Sequence, residues 1–289
     1  MIEQAWIDCV RSFNRTVTER VGALNDHFLG RRRPVGEARL LWEIGDAGAE
    51  TNELAARLSL APADLDRQLH SLERQRLIVV EANGTRARLT EAGSAERREL
   101  DVRSVDVAQR LLAPLSDKQR SRIVEAMSEI ERLLTASLVT VAVEDPATPD
   151  ARSCVGQYFA ELACRFETGF DAARSLSADD AELTPPNGLL LIARLRDTPI
   201  GCGALKFHGA APAELKRMWV SPRARGLGVG SRLLRELEEH ARAANVSVLR
   251  LETNRALTEA IALYRSSGYV EVAPFNAEPY AHHWFEKRI

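Results

Sequence analysis

Apolar residues recur along this chain in two rhythms. Between 4 and 29, Ala5, Trp6, Cys9, Val10, Phe13, Val17, Val21, Leu24 and Phe28 return every three or four positions, which predicts one long helix. The segment 30–34 breaks it, and its arginines 31–33 read either as a solvated loop or as phosphate contacts. Three short helical patterns follow at 36–44, at 51–58 with Thr51 as the cap, and at 63–74. Two β runs, 77–80 and 85–89, form a hairpin around an Asn83-Gly84 turn. Helical spacing then returns over 93–136, interrupted at Pro114.

From 138 onward the rhythm shortens. A strand at 138–143 leads through a turn or linker at 144–150 into a helix at 153–173, then a loop at 178–186. Runs 188–195 and 200–207 make a hairpin around Asp197-Thr198-Pro199, and 214–220 is a buried strand ended by Ser221-Pro222. An amphipathic helix follows with Leu233, Leu234, Leu237 and Ala241 on its buried stripe. A strand at 246–252, a helix at 257–267 closed by Gly268, a strand from Tyr269 and a last strand within 275–287 complete the chain. The change of rhythm sets a domain boundary near 136, giving 1–136 and 137–289.

Between the strand 214–220 and the helix after it lies Arg225-Gly226-Leu227-Gly228-Val229-Gly230, followed by Ser231. Glycines let the backbone turn sharply and approach a ligand. The first N–H groups of a helix are unpaired and carry the positive end of its dipole. Such a turn is an anion site suited to a pyrophosphate. It is not a P-loop, because no lysine follows the last glycine, and G-x-G-x-G is not the dinucleotide fingerprint.

The R-x-x-G-x-G spacing after Val-Ser-Pro resembles the acetyl-CoA loop of the GNAT N-acetyltransferase superfamily. Asn254, Leu257, Ala260, Leu263-Tyr264 and Gly268-Tyr269 resemble its second signature, and the resemblance covers roughly 140–289. It implies a GNAT fold, α+β in α-β-α layers with a mixed central sheet, and acetyl-CoA as co-substrate. It sets the acetyl and pantetheine arm along Met218, Trp219 and Val220, the pyrophosphate on Arg225 to Ser231, and Asn254 against the pantetheine. Direct attack of an amine on the thioester needs a base, an oxyanion donor and a proton for the leaving thiolate. The resemblance makes Tyr264 the general acid; the other reading is a tyrosine packed on the sheet. Glu214, a carboxylate among apolar strand residues, is the base candidate, with a pKa raised by burial; Glu252 is second, and an ion pair of Glu214 with Lys216 or Arg217 is the alternative. Tyr158, Glu161, Arg165, Phe166 and Phe170 on the first helix are acceptor contacts or structural residues.

In the N-terminal half, the pattern at 51–78 with LTEAG after the hairpin resembles the MarR transcription regulators. It implies a mainly α winged helix-turn-helix, with the helix at 62–75 in the DNA major groove and the hairpin as the wing. Ala63, Arg67 and His70, with Arg86 and Arg88 on the wing, are then the DNA-facing residues. Asp64 and Asp66 depart from the pattern, since each repels phosphate, and the wing lacks the family's Asp-x-Arg tip. The helices 4–29 and 93–136 resemble the family's dimerisation helices, implying a homodimer; plain intrachain core is the alternative.

Composition narrows the function classes. The net charge is −2, from 39 Lys and Arg against 41 Asp and Glu, so any double-stranded DNA contact rests on a local patch. No apolar run reaches the length of a membrane span, and no signal layout opens the chain, which predicts a cytoplasmic protein. Four cysteines, Cys9, Cys154, Cys164 and Cys202, show no metal-ligand spacing and read as buried free thiols. His282-His283 on a strand point to opposite faces, so no metal is expected. The reading is an acetyl-CoA-dependent N-acetyltransferase acting on a primary amine, a small molecule, fused to a MarR-type regulator. The alternatives are a regulator that senses acetyl-CoA without efficient turnover, and a protein-lysine acetyltransferase.

Overall fold

The structure is a computed structural model and describes residues 2–289 except 22–27, 32, 82–83, 177 and 210. The chain divides into two compact units, 1–126 and 127–289.

The first unit opens with helix α1 (Gln4–Arg20). The single helix expected over 4–29 is not continuous: Leu29 has φ 53°, a left-handed backbone that no helix passes through, and Leu24 lies outside the described residues. Then come α2 (Val35–Ile44), β1 (Ala49–Glu50), α3 (Thr51–Leu58), α4 (Pro62–Arg74), β2 (Ile78–Val80) and β3 (Arg86–Leu89). The strands form an antiparallel sheet in the order β1-β3-β2, with β1 absent from the sequence pattern because two residues carry no period. Leu40, Leu41 and Ile44 of α2, Leu54 of α3, and Leu65, Leu69 and Leu72 of α4 are buried together over Ile78 and Ala87. The i, i+4, i+7 spacing on α4 puts its three leucines on one face.

Two expectations here are corrected. Thr51 is the first helical residue and not the cap; its hydroxyl donates to the Gly84 carbonyl at 3.0 Å, tying α3 to the hairpin. Asn83 lies outside the described residues, while Gly84 adopts φ 72°. Arg31 and Arg33 are not a solvated run: both pair with Glu96, and the buried Arg33 also reaches Glu37 at 3.0 Å and Gln75 at 2.9 Å. Arg32 lies outside the described residues.

Helix α5 (Glu91–Leu112) stops before Pro114, which has no N–H to continue the ladder although Ala113 still holds helical angles, and α6 (Asp117–Ser137) follows. The division between units falls inside α6, ahead of the change in sequence rhythm.

The second unit contains β4 (Val139–Glu144), α7 (Pro149–Arg165), β5 (Gly188–Leu195), β6 (Thr198–His208), β7 (Ala211–Val220), α8 (Val229–Ala243), β8 (Val248–Thr253), α9 (Thr258–Ser266), β9 (Val270–Val272) and β10 (His283–Arg288). They build a seven-stranded mixed sheet in the order β4-β5-β6-β7-β8-β10-β9. Among the described residues only β7 and β8 pair in parallel, because α8 carries the chain across between them. Period-2 alternation splits the core: Leu189 and Leu191 pack with Leu233, Leu237 and Ile261, whereas Leu190 and Ile192 pack with Ala151 and Cys154 of α7. Helices thus cover both faces of the sheet.

Helix α7 begins earlier and ends earlier than expected. The Thr148 hydroxyl caps it by accepting the Ala151 N–H, Pro149 suits its first turn, and Phe166 is already extended. Phe166 and Phe170 therefore sit beyond the helix.

Candidate active site

The parallel ladder between β7 and β8 holds only Ala213 opposite Leu249 and Glu214 opposite Arg250. Both strands run on past it, and a cleft of about 480 Å³ lies where they no longer pair. Met218, Trp219 and Val220 of β7 form one wall, and Leu257 with Ala260, Leu263 and Tyr264 of α9 the other. The glycine turn closes one end, with Arg225, Gly226, Gly228, Val229, Gly230 and Ser231 on the surface of the cleft. Leu227 packs into the core instead.

The turn has the conformation its glycines predict. Gly226 and Gly228 have φ of 82° and 75°, and a Cβ on either would meet open space. Gly228 is the N-cap of α8, and no side chain caps the helix, so its leading N–H groups are left for a ligand. A Cβ on Gly230 would lie 3.2 Å from Leu263, so a glycine there lets α8 approach α9. These features fit the diphosphate of an acyl-CoA. Arg132 adds a contact invisible in the sequence, donating to the Gly226 carbonyl at 2.6 Å.

Arg225 is not free. Its guanidinium makes two contacts of 2.6 Å with Glu161 on α7. The same carboxylate accepts from Trp219 Nε1 at 2.8 Å and from Arg165 at 3.1 Å. Burial pushes Glu161 up, but the bonds from Arg225, Trp219 and Arg165 outweigh it and hold the group below the usual carboxylate range. Arg165 continues the chain to Glu259 at 2.7 Å, which its hydrogen bond lowers to about 2.

Tyr264 is buried and lines both this cleft and a second cavity of about 90 Å³, which Met218 borders too. Its hydroxyl has no hydrogen-bond partner among the described residues. Burial, with the charge of Glu252 nearby, pushes its phenol upward. Tyr158 of α7 lines the same two spaces, and burial raises it likewise. The second cavity has aromatic walls: Phe159 stacks on Phe170 at 5.5 Å, and Phe170 meets Phe166 and Tyr280 at 5.9 and 5.0 Å.

Three sequence readings change. Glu214 lines neither space. It pairs with Lys216 at 2.8 Å and His208 at 3.2 Å, and although burial pushes it up, those partners with Lys206 hold it below its ordinary range. The pKa rise expected of a base is thus absent. Glu252 does line the second cavity, paired with Lys216. Asn254 is buried but turned inward, donating to the Tyr280 carbonyl at 2.7 Å and accepting from Ala256 N–H at 2.9 Å; it lines neither space. Cys154 and Cys202 are buried as expected, but Cys164 and Cys9, the latter on a helix that buries none of its described residues, are exposed.

In the first unit Ala63, Arg67 and His70 are exposed on α4. Arg67 is paired with Asp64, and His70 Nδ1 donates to the Asp66 carbonyl at 2.8 Å. On the hairpin Arg86 pairs with Glu50 at 2.7 Å and Arg88 with Glu81 at 3.3 Å. Among the described residues, no helix is long and apolar enough to cross a membrane, and no three His, Cys, Asp or Glu are grouped to hold a metal. His283 pairs with Glu271 at 2.6 Å, and the His282 N–H bonds the Thr253 carbonyl.

The model of the acetyltransferase (GNAT) family matches residues 157–269, from α7 to the end of the α9 signature. An IAA acetyltransferase of Azospirillum brasilense is 38% identical over 138 residues, 47% of this chain and 88% of that protein. The N-alpha-acetyltransferase RimI of Mycobacterium tuberculosis is 32% identical over 142 residues, 48% of this chain and 84% of its own length. Among solved structures, a GNAT family acetyltransferase from Elizabethkingia anophelis with acetyl-CoA bound is 17% identical with a TM-score of 0.38, covering 53% of this chain and 99% of its own. With its second unit so matched, the chain belongs to the GNAT acetyltransferase family and is an acetyltransferase that uses acetyl-CoA.

Proposed function

We propose that the protein moves the acetyl group of acetyl-CoA onto the primary amine of a small molecule. In this reading the diphosphate lies on the N–H groups of the glycine turn, and the thioester runs along Met218 to Val220. The acceptor amine enters from the cavity behind Tyr264. Its nitrogen attacks the thioester carbonyl carbon, a C–N bond forms, and the C–S bond breaks. The departing sulfur takes the phenolic proton of Tyr264, and the amine proton passes to Glu252 or to water beside it. Glu252 replaces Glu214 in the role of base because it lines the acceptor cavity.

The observation that carries this reading is Tyr264, which borders both spaces and whose hydroxyl has no hydrogen-bond partner among the described residues. The small acceptor cavity, about 90 Å³, favours a small molecule over a folded protein surface. Tyr264→Phe is expected to lower kcat about tenfold or more in an acetyl-CoA consumption assay with an amine panel. Because burial raises the phenol, it stays protonated where a free tyrosine ionises, near pH 10. The rate should therefore climb with pH as the amine loses its proton, without a fall below about pH 10. Unchanged turnover in the phenylalanine variant removes the general-acid role.

For the first unit we propose a MarR-like winged helix that pairs two chains and touches DNA. The order of α3, α4 and the β2–β3 hairpin supports it, as does the exposed apolar stripe of Trp6, Val10 and Phe13 on α1. Light scattering on the full chain should give twice the chain mass. A monomer leaves this unit without its dimer.

A further inference from the structure

We propose that Arg217 selects the acceptor, and that the acceptor is a compact amine bearing its own carboxylate. The inference rests on the acetyl-transfer reading above and names the substrate class of the same site.

Arg217 sits where the β6–β7 ladder slips register between Cys202 and Ala204. Its φ is 53°, a left-handed conformation rarely held by a residue with a long side chain. Such a backbone persists only where its surroundings enforce it, and such positions cluster at functional sites. The side chain is 8% exposed and lines the acceptor cavity, 5.7 Å above the ring of Phe159. One donor reaches the Ala178 carbonyl. Nη1 lies a long 3.5 Å from Asp180, which is itself exposed, and the buried Nε has no partner.

The other charged groups around this cavity are satisfied. Lys216 is held between Glu252 and Glu214. Glu278 accepts from the Ser175 hydroxyl at 2.9 Å and from the N–H groups of Leu176 and Tyr280 at 2.6 and 3.2 Å. Among the described residues, Arg217 alone of these four has a buried polar atom without a partner, in a place where an incomplete cation is unfavourable. A guanidinium fork matches a planar carboxylate, and an entering carboxylate has one exposed partner, Asp180, to displace. Size limits the rest: about 90 Å³ is below the roughly 150 Å³ that encloses a benzene ring. The enclosed part of the acceptor is thus a short amino-acid head, with any apolar side chain directed to Phe166, Phe170 and Tyr280.

The test compares matched acceptors in the full chain: alanine against ethylamine and alaninamide, and leucine against isopentylamine. The native enzyme should favour the acids at least tenfold in kcat/KM, mainly through KM. In Arg217→Gln the acid-to-amine ratio should fall toward one, while Arg217→Lys, which keeps the charge and loses the fork, should retain part of it. Calorimetric acetyl-CoA binding reports whether each variant is folded, and the native comparison decides alone if one is not. Equal use of acids and amines by the native enzyme, or a ratio that survives Arg217→Gln, overturns the carboxylate inference while acetyl transfer stands. Acetylation of none of these compounds, with acetyl-CoA still bound, removes both.

Discussion

The glycine turn and helix α4 each set an arginine near a helix start, and the two arginines meet the same fate. Arg225 is held by Glu161, and Arg67 by Asp64. What remains differs. At the turn, Gly226 and Gly228 leave open space beside the uncapped first N–H groups of α8, so the backbone still attracts an anion. At α4, Pro62 contributes no N–H, and Asp64 and Asp66 place negative charge in the first turns. An anion site built from backbone survives the neutralisation of its arginine, whereas one built from side chains does not.

Three tests sharpen that contrast. The largest effect is expected from Gly228→Asp, which sets a carboxylate in the anion site; KM for acetyl-CoA should rise about a hundredfold, in line with like charges a few ångströms apart in a partly desolvated cleft. Gly228→Asn tolerates the same positive φ without the charge, and should cost far less. Equal losses in both would point to strain and remove the electrostatic account. Next is Asp64→Asn with Asp66→Asn. Removing two acidic groups from the exposed face of α4 should strengthen retardation of duplex DNA by about tenfold at low salt and steepen its salt dependence. No retardation before or after the change would leave the first unit without a DNA role. The smallest effect is expected from Arg225→Ala, about threefold in KM for acetyl-CoA, because an ion pair to Glu161 already occupies the guanidinium. A loss as large as that of Gly228→Asp would show that the side chain, and not the backbone, binds the phosphates.

The same distinction explains what was legible in the sequence. The continuous apolar run at 188–195 was legible as a strand, because a strand buried on both faces needs apolar residues at successive positions. The glycine turn was legible too, since positive φ is written in the residue type. For Glu214 the alternative of an ion pair with Lys216, two residues along the same strand, is the one the structure shows; its partners His208 and Lys206 join only once β6 and β7 pair, with Lys206 opposite Glu214. Asn254 looked like a ligand contact, yet its amide closes a local turn and bonds a carbonyl 26 residues on. The bulge that buries Arg217 arises from a slip in strand register, which no single-strand pattern records. Tyr264 was found through its motif, but its position between two spaces depends on the early end of β7–β8 pairing.

Central to the account is a diphosphate gripped by backbone at the start of α8, with the thioester beside a phenol. A crystal structure of the full chain with coenzyme A measures this directly. The account predicts diphosphate oxygens within hydrogen-bond distance of the N–H groups between Gly226 and Ser231, and the sulfur facing the Tyr264 hydroxyl. Coenzyme A bound elsewhere, or bound here with its sulfur turned away from Tyr264, would contradict it.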